Sequence, residues 1–230
     1  MKIVAESLQE LTPKIRLNSY KSLSNTYFGR KNIKEYGLPP FIDGSCRKEP
    51  DLESKYPPIT STCRAGKFAP ILNINDIVVY LTKLRGIYYM TAILRVIEKF
   101  ANHEQGAQWY LGKGLDLPSN CMILGNPPKP IEMTTGRLET REDALRFESL
   151  PPDVRKRKGE AIIRVWNMDY MKRVKEYPQF NITEPIFVNV WNPPIIPPSL
   201  LKSWFGGSIP GTQNPKKLSK EEYQNFLDLI

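Results

Sequence analysis

The chain is poor in the residues that most often carry metal or redox chemistry. Its 230 residues contain one histidine (His103) and three cysteines (Cys46, Cys63 and Cys121). The cysteines are widely spaced, with no CxxC pair, so neither a disulfide framework nor a four-ligand structural zinc site is expected. No cofactor or metal is expected either: GxGxxG, P-loop, HExxH, GxSxG and DxDxDG patterns are all missing. No apolar run reaches membrane-spanning length, and the first ten residues lack an apolar signal region. The expectation is a soluble chain of a reducing cytoplasm, without a membrane. With 21 prolines, long helices are not expected and extended connections are.

What the sequence does have is positive charge: 33 Lys and Arg against 24 Asp and Glu, a net +9. Such an excess favours a polyanionic partner, because cations that neutralise phosphates release counterions. Nucleic acid is the expected partner, DNA ahead of RNA. The cations fall in two groups. Lys21, Arg30, Lys31 and Lys34 come early; Arg155, Lys156, Arg157 and Lys158, with Arg164, Lys172, Arg173 and Lys175, come late. Lys21, Arg30, Lys31 and the 155–158 block are the candidate phosphate contacts.

The most informative stretch begins at Asn75-Asp76. Residues 76–100 hold two apolar segments joined at Leu84-Arg-Gly86 and read as a β-hairpin, apolar on both faces and therefore covered on both. Asn102 follows as a helix cap with Gln105 at capping-box spacing, and Gly112 and Gly114 end that helix. Residues 14–21 predict a first strand and residues 22–58 a long loop or several short strands. Ile59–Arg64, Gly159–Met168 and Glu184–Trp191 predict further strands. Leu218–Ile230 predicts a terminal helix capped by Ser219 with Glu222 three positions on. Strands mixed with short helices make an α+β domain around a strongly bent small sheet or barrel. His103 reads as a surface residue, Trp166 and Trp191 as core, and Trp204-Phe205 as a possible exposed loop. Cys63 and Cys121 read as small buried apolar residues.

The order of a strand, a polar loop, Ile59–Arg64, Ile74-Asn-Asp-Ile-Val-Val-Tyr80, Ala92-Ile-Leu-Arg-Val-Ile-Glu98 and a helix ending in Trp109-Tyr110 resembles the PUA-like superfamily. Within it the chain is most similar to EVE and YTH modules and to the nucleotide-modification-associated domains of phages and bacteria. The resemblance covers residues 14–125 and 160–191. It implies one domain over 1–230, with a Pro-rich, basic insertion at 126–160 and the terminal helix at 218–230. Asn75 replaces the glycine of the family's corner, and asparagine tolerates the same left-handed backbone. The resemblance further implies a concave pocket for a modified or flipped base. On this chain its walls would be Asn25, Thr26, Tyr27 and Phe28, then Thr62, Cys63 and Arg64, then Trp109, Tyr110 and Asn120. It implies a reader of modified nucleic acid, in a modification, restriction or anti-phage defence setting, with a possible partner protein of that system.

Two alternatives stand beside the reader. ASCH domains of the same superfamily include small hydrolases of modified nucleosides with a G-x-K-x-x-T segment and a later Glu. Ser19-Tyr-Lys-Ser-Leu-Ser24 and Glu98 resemble these, with Ser19 in place of Gly and Ser24 in place of Thr. Lys21 would activate Ser24, and Glu98 would carry the proton. The other alternative is a protein-interaction domain that uses the Pro-rich 126–130 and 192–198 segments. No catalytic residue is assigned outright, and the balance leans away from an enzyme.

Overall fold

The computed structural model describes residues 13–62, 65–207 and 215–230. Its elements run β1 (Ile15–Tyr20), α1 (Tyr27–Tyr36), β2 (Pro58–Thr60), β3 (Ile77–Leu84), β4 (Ile87–Phe100), α2 (His103–Gly112), α3 (Arg141–Glu148), α4 (Pro152–Glu176), β5 (Phe180–Val188), β6 (Ile195–Ile196), α5 (Pro198–Trp204), β7 (Lys216–Leu218) and α6 (Lys220–Leu227). The strands form one mixed sheet in the order β2-β5-β4-β3-β1-β7, with β6 also on β4. β1 runs parallel to β3 and the other pairs are antiparallel. Register shifts at Tyr80/Leu81, Ile93/Leu94 and Val96/Glu98 bend the long strands, and the sheet curls into a half-barrel. The fold is α+β, as the order of segments predicts.

The corner before β3 works as the sequence suggests. Asn75 sits at φ 71°. Its neighbour Asp76 is buried, and its carboxylate accepts from the backbone N–H groups of Lys14 (2.8 Å) and Asn73 (3.0 Å). That carboxylate therefore pins the entrance of β1 beside the start of β3. Both faces of the hairpin are covered. Val78, Tyr80, Leu94 and Val96 pack with Leu23, Phe41, Ile59 and Phe68 on one side; Val79, Leu81, Met90 and Ile93 pack with Leu17, Leu201 and Phe226 on the other. Asn102 caps α2 through Gln105 N–H, and Ser219 and Glu222 form a full capping box on α6.

Four expectations need correction. Residues 27–36 are helical, not loop: Thr26 accepts from Gly29 N–H at the start, and Gly37 ends the helix at φ 62°. Residues 159–168 lie within the 25-residue α4, not a strand. The pair Ile162-Ile163 imitates a strand locally, but Gly159, Ile163, Trp166 and Tyr170 recur at helical spacing, and they form the face of α4 that turns inward. The flanking helices are thus not all short. Trp191 is 61% exposed rather than core. Trp204 and Phe205 do not form an exposed loop, because both rings pack on Phe226 and Phe205 is buried.

Candidate functional site

The segment Asp43-Gly-Ser-Cys-Arg-Lys-Glu-Pro-Asp51 carries five charged residues, and all five are buried: Asp43, Arg47, Lys48, Glu49 and Asp51 are 3–6% exposed. Buried charges persist only when paired or hydrogen-bonded, and all five find such partners here. Lys48 pairs with Glu53, Asp43 accepts from Ser45 N–H, and Asp51 accepts from Ser119 N–H at 2.6 Å.

Glu49 is the hub. Its carboxylate accepts from Thr60 N–H at 3.1 Å, from the Thr60 hydroxyl, from the Thr62 hydroxyl at 2.9 Å and from Asn120 Nδ2 at 3.0 Å. β2 supplies Thr60, and the turn after Pro118 supplies Asn120, whose Nδ2 also donates to Pro58 O. Burial pushes the Glu49 carboxyl up to about 7, against the pull of the Thr60, Asn120 and Thr62 donors. Burial likewise raises Asp43 to about 6, although Ser45 donates to it.

Arg47 faces the other way. Its Nε donates to Asn167 Oδ1 on α4 (2.6 Å), and its Nη1 donates to Ser119 O (2.9 Å) and Asn126 O (3.0 Å). Arg47 forms the floor of a cavity of about 630 Å³, with His103 beside it and Met122, Pro127, Met171 and Val174 in the walls. His103 is 2% exposed, not a surface residue. Its Nδ1 accepts from Met122 N–H at 3.0 Å, and burial together with the Arg47 charge lowers its pKa to about 4.

A second cavity of about 710 Å³ lies between α1 and the first half of α4, with Phe28, Ile131, Phe147 and Ile163 as its apolar base. The two cavities share Pro127, Pro128 and Asn167 and lie side by side along α4, together making up its trough. Lys31, Arg155, Lys156 and Arg164 line the second cavity, faced by Glu35, Glu132, Glu148 and Glu160.

The residues expected to share one pocket are divided among three places. Thr62 and Asn120 meet at Glu49. Phe28 packs edge-on against Phe147 under the α4 trough; Tyr27 lies beside it, Thr26 caps α1, and Asn25 bonds to Ser22. Tyr110 is fully buried and donates to Tyr56 O, and the half-buried Trp109 packs against both rings; neither lines the two cavities along α4. Cys63 and Arg64 lie outside the described residues.

Of the expected phosphate contacts, Lys31, Arg155 and Lys156 line the trough. Arg157 pairs with Asp153 on the exposed face of α4, where Lys158 is also exposed. Arg30 donates to Ser24 O, and Lys21 pairs with Glu139. The set Lys21, Ser24 and Glu98 does not converge. Tyr20 aligns with Thr82 and Thr82 with Tyr89, which places Lys21 at one end of the sheet. Glu98 lies nine positions further along the bent β4, about 30 Å of strand at the usual rise, and is exposed. Ser24 is buried and bonded to Ser22.

Sequence reasoning missed Arg47, Glu49, His103 and Asn167. The available signal was the charge density of 43–51, which follows the apolar Phe41-Ile42 and is too tightly spaced with apolar neighbours for a solvated loop.

No protein-family model matches the sequence, and no curated protein matches it. Among solved structures, the chain is similar to the ASCH protein of Zymomonas mobilis: 9% identity, TM-score 0.39, covering 94% of this chain and 95% of that one. A mutant of the same protein gives 10% identity, TM-score 0.39 and coverage of 94% and 98%. A likeness this shallow carries no weight for fold or function.

Proposed function

We propose that the chain is a nucleic-acid-binding domain of PUA-like type that holds a modified or flipped base, with DNA preferred over RNA, in a modification, restriction or defence setting. The carrying observation is α4. It bears eight cations (Arg155, Lys156, Arg157, Lys158, Arg164, Lys172, Arg173 and Lys175) against four carboxylates (Asp153, Glu160, Asp169 and Glu176), and one of its faces walls a trough large enough for a nucleotide. Inside the trough, charge is nearly balanced over an aromatic and apolar base. Phosphates therefore belong on the exposed rim of α4, and the flat base belongs inside. The hydrolase alternative loses support, because most of the length of β4 lies between Glu98 and the end of the sheet that holds Lys21 and Ser24.

The test is binding to short DNA and RNA, unmodified and carrying different base modifications, across a salt series. The expected result is a steep salt dependence with a modification preference that survives salt. Lys156→Ala with Arg164→Ala is expected to flatten the log–log salt slope by about 2, near one per lost phosphate contact. Negligible affinity at low salt for every duplex and single strand would overturn the reading.

A further inference from the structure

The Arg47–His103 end of the trough holds a cation without a counter-ion among the described residues and a ring N–H without an acceptor. Arg47 is 3% exposed, yet all three of its hydrogen bonds go to neutral oxygens, those of Asn167, Ser119 and Asn126. Among the described residues no carboxylate forms an ion pair with it. A buried guanidinium held only by dipoles retains an uncompensated charge, which makes the cavity it floors attractive to an anion.

His103 adds a second donor. Because its Nδ1 accepts from Met122 N–H, the ring hydrogen must sit on Nε2, and that buried atom has no hydrogen-bond partner. Burial and the nearby Arg47 keep this imidazole neutral, so it is a fixed N–H rather than a second cation. The first turn of the 10-residue α2 begins at this residue, and Asn102 and Glu104 line the same cavity. A helix start carries unpaired backbone N–H groups and a partial positive charge. At the rim, Glu104 and Lys175 are exposed and opposite in charge, so the bias comes from the floor.

We propose that this cavity is a site for a phosphate monoester: the phosphoryl group on Arg47, His103 Nε2 and the start of α2, and a nucleoside-sized body between the Pro127 and Met171 walls. Donors arriving from a loop, a side chain and a helix end suit a tetrahedral anion with several oxygens better than a planar carboxylate. The phosphate could belong to a free nucleotide or to the 5′ end of a strand. The site does not depend on the rim cations of α4.

The experiment is calorimetric titration of the full chain, with ¹⁵N NMR of the His103 ring, against inorganic phosphate and sulfate. Nucleoside 5′-monophosphates follow, and then one oligonucleotide with a 5′-phosphate or a 5′-hydroxyl. The expected result is a shift of the His103 Nε2 resonance with either ion, and tighter binding of the monophosphates. Preference for the 5′-phosphorylated strand over the mononucleotide would assign the source as a strand end; the reverse would assign a free nucleotide. Asn167→Asp gives Arg47 an internal carboxylate without removing its acceptor, and is expected to weaken phosphate binding about tenfold or more. No response of His103 to millimolar phosphate and sulfate, or full affinity in Asn167→Asp, would overturn the site. Monophosphates binding no better than inorganic phosphate would overturn the nucleoside-sized body. Lys156→Ala with Arg164→Ala should leave phosphate binding intact, which separates this site from nucleic-acid binding along α4.

Discussion

Arg47 Nε donates to Asn167 Oδ1 at 2.6 Å, a bond between residues 120 positions apart that ties the buried charged loop to the middle of α4. Asn167→Leu would leave a buried guanidinium N–H without its acceptor. The expected cost is about 1–3 kcal/mol, read as a lower urea midpoint with an unchanged slope. An unchanged midpoint would show that solvent or another acceptor replaces Asn167.

Glu49 and His103 predict opposite pH dependences. Glu49 is raised from 4.5 to about 7 in the fold, so the folded chain holds its proton where the unfolded chain has lost it. Its contribution to stability is full below about pH 4.5 and declines as pH rises to about 7. His103 is lowered from 6.5 to about 4, so its contribution is full above about pH 6.5 and declines as pH falls toward 4. Glu49→Gln removes only the first slope. Relative to the parent chain its stability should improve steadily between pH 5 and 7, measured as melting temperature against pH. A constant difference would place the Glu49 proton elsewhere.

Gly29 sits where α1 turns over the preceding segment. A Cβ there would lie 1.9 Å from the Leu23 carbonyl oxygen and 2.9 Å from Thr26 Oγ1, the capping atom of α1. Because the obstacle is backbone, Gly29→Ala should destabilise by roughly 2–4 kcal/mol. Gly112→Ala is the control, since nothing lies within 4 Å of a Cβ there.

Lys21→Ala and Glu98→Ala should change neither nucleic-acid affinity nor stability by more than about 0.5 kcal/mol. Lys21 makes one exposed ion pair and Glu98 is exposed. Loss of function in the two variants, with the fold intact, would restore the hydrolase alternative.

The parts of the fold legible in the sequence are those governed by local chemistry. The hairpin, the Asn75 corner and the caps at Asn102 and Ser219 each depend on a few neighbouring residues. What misled was a local pattern overridden at longer range. Ile162-Ile163 has strand-like branching, but α4 forms because its Gly159, Ile163 and Tyr170 face packs on Phe28, Ile131 and Phe147. The site was harder still. Asn120 and Thr62 were identifiable as polar candidates, but their partner Glu49 lies 71 and 13 positions away, and the charge density of 43–51 does not say which of its residues meets them. Trp109-Tyr110 looked like stacking surface because aromatic pairs serve both cores and pockets; their contacts with Tyr56 and Phe180 lie outside both cavities along α4.

The pairing of β1 with β7 has a consequence for how the chain is made. Residues 15–17 meet 216–218, nearly the whole sequence apart. On the ribosome, the parallel partner β3 can dock on β1 early, but the outer edge of β1 stays unpaired until the last strand emerges. During that interval it is an open template for another chain. Nascent chains stalled before residue 216 should therefore associate with one another more readily than the finished protein.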